Sequence, residues 1–150
     1  MDLILWRHAD AEPGEPDMER KLTSKGTKQA ARIAEWLEPR LPERCRIIVS
    51  PARRAQQTAQ ALTRKFKTKD EIAPDVPPQS VLEAAKWPDG HEPVLVVGHQ
   101  PTLGRVAALL LANQDVEWSI PKGAIWWLSN RARSHGPQVA LRVVIAPDFV

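Results

Sequence analysis

Three short apolar runs constrain this chain most: Leu3-Ile4-Leu5-Trp6, Ile47-Ile48-Val49 and Val94-Leu95-Val96-Val97. None alternates apolar with polar residues, so each suits a strand buried on both faces, as in a parallel sheet. Parallel neighbours need long crossovers, and the intervening sequence has helical spacing. Thr23-Ser24-Lys25-Gly26 opens a helix whose apolar positions are Ala30, Ile33, Ala34 and Leu37, closed by Pro39 and Pro42. Ser50-Pro51 predicts a helix start, with Ser as cap, running to about Lys65. A short helix is expected from Ser80 to Lys86, and another from Pro101 carrying Leu103, Val106, Leu109 and Leu110. Residues 9–20 and 67–80 read as loops. Ala124–Leu128 and Val139–Ile145 read as two last strands, joined by a polar hairpin segment from Ser129 to Pro137. The expected architecture is α/β: a three-layer α/β/α sandwich on a mostly parallel central sheet. At 150 residues, positions 1–150 form one domain on this reading.

The polar ends of the strands carry the functional signal. The first run ends at Arg7-His8 and the third at Gly98-His99. The second ends at Ser50-Pro51, with Arg53 and Arg54 in the first turn of the helix that follows. Open α/β sheets bind ligands at the carboxyl ends of their strands. Two histidines, several arginines and two helix N-termini therefore converge on one edge, a set suited to a phosphoryl group. Arginine charge should depress the histidine pKa and keep an imidazole neutral and nucleophilic. Two cations at a helix start oppose its dipole, which an anion there would explain.

At these positions the sequence resembles the histidine phosphatase superfamily. Its Arg-His-Gly motif corresponds to Arg7-His8-Ala9, with Ala replacing Gly. Ser50-Pro51-Ala52-Arg53-Arg54-Ala55-Gln56-Gln57-Thr58-Ala59 and Val96-Val97-Gly98-His99-Gln100-Pro101 are similar to the later motifs. The segments Arg20–Gly26 and Gly98–Gly104 look most like the bacterial phosphohistidine phosphatases of the SixA type. The resemblance covers roughly residues 2–128 and implies a phosphoglycerate mutase-like fold. It also implies that His8 attacks phosphorus, Arg7 and Arg54 hold the equatorial oxygens, and His99 supports the transition state. Arg20 would add a rim contact, Arg53 would face elsewhere, and no metal or other cofactor is called for. Ser50 heads no Gly-x-Ser-x-Gly turn and reads as a cap or substrate-rim contact.

Superfamily members that cleave alkyl phosphates protonate the leaving oxygen with a carboxylic acid. Among Glu71, Asp75, Glu83, Asp89 and Glu92, Glu83 is the candidate acid, but its surroundings do not match the family's acid motif. A departing imidazole, whose conjugate acid has a pKa near 6.5–7, needs less help than an alkoxide. The expected activity is metal-independent hydrolysis of phosphohistidine on a protein. The alternatives are a small phosphate monoester as substrate, or a catalytically weak phosphoprotein-binding module in which the Ala9 Cβ tightens the loop against phosphate.

Composition narrows the remaining classes. A net charge of +3 tolerates an anionic substrate without calling for nucleic acid. The Arg64–Lys69 run reads as a solvated helix C-terminus. The longest apolar run, Val106–Ala112, is far short of the roughly 18–20 residues of a membrane span. The start reaches a charge at Arg7 without a leader-like stretch, and Cys45 has no cysteine partner in the chain, which together lead to a cytoplasmic expectation. A chain of this size can work as a monomer. His91 and His135 are read as solvated.

Overall fold

The computed structural model describes residues 1–133 and 136–150; His135 lies outside the described residues. The strands are β1 (Asp2–Arg7), β2 (Arg46–Val49), β3 (Lys67–Thr68), β4 (Val94–Gly98), β5 (Ile125–Arg133) and β6 (Gly136–Ile145). The helices are α1 (Ser24–Leu37), α2 (Arg53–Ala59), α3 (Pro78–Ala84) and α4 (Thr102–Ala112). One six-stranded sheet runs β3-β2-β4-β1-β5-β6. The pairings from β3 through β1 are parallel, and those of β5 with β1 and β6 are antiparallel.

The unbroken apolar runs follow from burial on both faces. Ile4 and Trp6 of β1 pack with Ile47, Val49, Leu95 and Val97 beneath Ile33, Leu37, Ala55 and Ala59 of α1 and α2. Leu3 and Leu5 face the other way, packing with Ile48, Val94 and Val96 against Val81 of α3 and Leu103 and Val106 of α4. This is an α/β/α sandwich, and the period-two side-chain alternation of a strand sorts neighbouring residues between its two cores.

Three expected boundaries move. The helix from Ser50–Pro51 is shorter at both ends. Ala52 is its N-cap and contributes no side-chain bond. Past Ala59, the Thr63 N–H and hydroxyl bond to the Glu38 carboxylate, and the Arg64 guanidinium donates to the carbonyls of Glu38, Leu41 and Pro42. Those bonds draw residues 60–64 off the helix axis. The Arg64–Lys69 run is therefore not a helix terminus, and Lys67–Thr68 adds an edge strand to β2. Polar residues expected in a hairpin loop continue the β5–β6 ladder. Asp2 at the start of β1 pairs with Ser129, so the hairpin runs on past the end of β1. The expected helix from Ser80 to Lys86 begins at Pro78, with proline in its first turn. No helix among the described residues is long and apolar enough to cross a membrane.

Candidate active site

Strand register assembles the pocket. Arg7 pairs with Gly98 and Val49 with Val97, so β1, β4 and β2 end side by side. The His8 N–H donates to the Gly98 carbonyl at 3.0 Å, and the Ser50 N–H donates to Val97 at 3.0 Å. His8 and His99 thus leave adjacent strand ends, with ring centroids 5.1 Å apart. Helix α2 brings Arg54 to the same edge, almost fully buried, while Arg53 points to solvent. Thr58 ties α2 to the loop after β1: its hydroxyl donates to the Arg54 carbonyl at 2.7 Å and accepts the Ala9 N–H at 3.0 Å.

A pocket of about 260 Å³ opens there, lined by Arg7, His8, Arg20, Arg54 and His99 together with Asp17, Asp75, Gln100 and Lys122. The Nε groups of Arg7 and Arg54 are buried without a hydrogen-bond partner, as is His99 Nδ1. A buried donor without an acceptor is costly, and an anion in the pocket would satisfy such donors.

The two imidazoles are held differently. His8 Nδ1 lies 2.8 Å from the Ala9 carbonyl oxygen. A carbonyl only accepts, so Nδ1 carries the proton and Nε2 keeps its lone pair. His99 Nε2 lies 2.7 Å from Ser50 Oγ, which also accepts the Ala52 N–H at 3.2 Å. Ser50 is wholly buried behind His99 and is not part of the pocket wall, so the substrate-contact role expected of it does not match its position, while its bond to the Ala52 N–H keeps it at the start of α2. Burial is the main cause that lowers the His8 pKa to about 4, opposed by the Ala9 bond and reinforced by Arg54, Arg7 and Arg20. Burial likewise lowers His99 to about 3, followed by the charge of His8 and Arg54. Both rings are neutral at pH 7, and burial outweighs the arginine charge expected to cause this.

Glu83 is exposed on α3 and does not reach the pocket. The carboxylates that do are Asp17 and Asp75. Asp17 sits in a 3-10 turn of the loop after β1. Its Oδ1 accepts from Arg20 Nη1 at 3.0 Å and its Oδ2 from Arg54 Nη2 at 3.1 Å, and its carbonyl accepts from Arg54 Nη1 at 2.8 Å. These bonds, that of Arg20 foremost, hold the Asp17 carboxyl below its ordinary pKa. Asp75 stands exposed on the rim in a left-handed conformation, φ 66°. Lys122 pairs with Asp10 at 2.9 Å. Sequence reasoning missed Asp17 and Lys122 because both lie in segments without periodicity. Gln100 was visible only as a member of the third motif; its amide bridges the Trp118 carbonyl and the Gly104 N–H.

The substitution of Ala for Gly in the first motif leaves the pocket clear. Ala9 is fully buried in a small apolar cluster with Leu22 and Ala30. The close approach falls instead at Gly26, where a Cβ would lie 1.9 Å from the Asp10 carbonyl oxygen. Only glycine lets α1 start against the loop that carries His8.

The histidine phosphatase superfamily (branch 1) model matches residues 3–76. The phosphohistidine phosphatase SixA homolog of Haemophilus influenzae is 33% identical over 132 residues, covering 77% of this chain and 80% of that protein. Phosphohistidine phosphatase SixA of Escherichia coli is 30% identical over 123 residues, 76% of each. The solved structure of the protein histidine phosphatase SixA complexed with tungstate superposes with a TM-score of 0.82 at 25% identity, over 99% of both chains. Fold and relatives define the class: a phosphatase, hence a hydrolase, on a phosphoglycerate mutase-like α/β scaffold. The chain belongs to the histidine phosphatase superfamily.

Proposed function

We propose that residues 1–150 act as one catalytic domain that hydrolyses phosphohistidine carried on a protein. His8 Nε2 attacks phosphorus, and the P–N bond to the substrate imidazole breaks. The leaving nitrogen takes a proton from solvent. Water then attacks the phosphoryl group on His8, releasing inorganic phosphate and restoring the neutral ring. The guanidiniums of Arg7 and Arg54 take the equatorial oxygens, and Arg20 supports them from the rim. Ser50 holds His99 Nε2, which leaves His99 Nδ1 to donate to the transferring group. These fixed cations supply the charge stabilisation that a metal gives other phosphoryl transferases, so a chelator should leave turnover unchanged. The similar SixA was solved as a complex with tungstate, a tetrahedral oxyanion, which supports a guest of that shape and charge. A cytoplasmic setting goes with this reading.

The observation that carries the proposal is the state of the pocket carboxylates. Asp17, clamped by two guanidiniums, is an anion and a poor proton donor. That environment suits an imidazole leaving group better than an alkoxide. Asp75 on the pocket wall favours a second reading, a small phosphate ester. Comparing kcat/KM for a phosphohistidine peptide and an alkyl phosphate tests the choice. The expected preference for phosphohistidine is at least ~100-fold, the lower end of what a missing general acid costs an ester. Faster ester hydrolysis that collapses in Asp75→Asn would establish the alternative.

A further inference from the structure

Beside the catalytic pocket lies a larger groove of about 680 Å³, lined by Lys25, Lys28 and Arg32 of α1 and by Lys122. The three helix cations stand at i, i+3 and i+7, all exposed, on one face. None has a carboxylate within ion-pair distance among the described residues. The first turn of α1 has no acidic residue, and Lys25 stands in that turn against the helix dipole. The stripe is thus exposed and free to meet an anionic partner from outside the chain. Lys122, paired with Asp10, lines both cavities and so joins the groove to the catalytic pocket.

Resting on the phosphohistidine reading, we infer that this groove docks an acidic face of the protein that carries the phosphohistidine. Carboxylates spaced along one side of a helix would match the stripe. Nucleic acid fits less well. No aromatic side chain lines the groove for base stacking, which leaves a protein carboxylate surface the better match. Contacts of this kind act on encounter and so on KM, and they weaken with salt.

The test uses two phosphohistidine peptides of equal length, one with glutamates spaced i, i+3 and i+7 beside the phosphohistidine, the other with glutamines. Wild-type protein should show a KM roughly 10-fold lower for the glutamate peptide at low salt, with equal kcat, and the preference should fade as salt screens it. Lys25→Glu, Lys28→Glu and Arg32→Glu together should abolish the preference, while turnover of the small substrate phosphoramidate stays unchanged and reports an intact fold. Equal KM values for wild type, or a preference that survives the triple substitution, would overturn the docking surface alone. Absence of turnover on both peptides would overturn the phosphohistidine reading and this inference with it. Tighter binding of a labelled RNA oligonucleotide than of the glutamate peptide, lost in the variant, would overturn it in favour of nucleic acid.

Discussion

The catalytic pocket and the groove on α1 are both rich in cations, yet they hold them in opposite ways. Arg54 is buried, tethered through two nitrogens to Asp17, and joined by its own backbone to Thr58. Lys25, Lys28 and Arg32 are exposed and have no ion-pair partner among the described residues. Low dielectric and fixed geometry make a buried charge strong and poorly screened; exposure makes a charge weak, mobile and sensitive to salt. The pocket can therefore stabilise a transition state, and the groove can only bias encounter and orientation. Changes in the pocket should be large and independent of salt, and changes in the groove small and salt-dependent.

The largest effect should come from His8→Ala. Loss of the attacking nitrogen is expected to lower kcat at least ~10⁴-fold at any ionic strength, as for nucleophiles of other covalent enzymes. Arg54→Ala should cost roughly 10²–10³-fold in kcat, the range for a lost oxyanion donor. Arg54→Lys should recover little of it, because an ammonium cannot reproduce the planar fork. An Arg54→Ala effect that shrank with added salt would erase the distinction between pocket and groove. Ser50→Ala should be milder, about 10-fold in kcat with KM nearly constant, because it frees the His99 ring without touching substrate.

Histidine titration sharpens the same contrast. Ring signals of His8 should show a neutral imidazole at pH 5.5 and protonation near pH 4, with His99 following near 3. The sign for stability follows from linkage. Between the ordinary pKa of about 6.5 and the folded values, the unfolded chain binds more protons. Stability should therefore be complete above about pH 6.5 and fall as pH drops toward 4. Ordinary titration of both rings near 6.5 would mean that the pocket is as wet as the groove.

The parts legible in the sequence were those set by burial and register. A strand buried on both faces must be apolar throughout, and it must end where polar groups can meet a ligand. Arg7-His8, Ser50 and Gly98-His99 therefore mark one sheet edge in the sequence itself. Contacts made across the chain left no local trace. Asp17 reaches Arg54 from a loop, Lys122 meets Asp10 from a distant turn, and Glu38 captures Thr63 to end α2 early. The Ala9 methyl suggested a crowded phosphate loop, but its packing against Leu22 and Ala30 depends on α1 folding back over it. Glu83 sat on a plausible helix, yet helix position alone does not say which way the helix faces.

Rapid-quench labelling tests the central claim most directly. Wild-type protein mixed with phosphohistidine substrate and quenched within milliseconds should carry an acid-labile, alkali-stable phosphoryl group on His8, attached at Nε2, because the Ala9 carbonyl occupies Nδ1. A label on His99, attachment at His8 Nδ1, or turnover with no label on either ring would contradict the account.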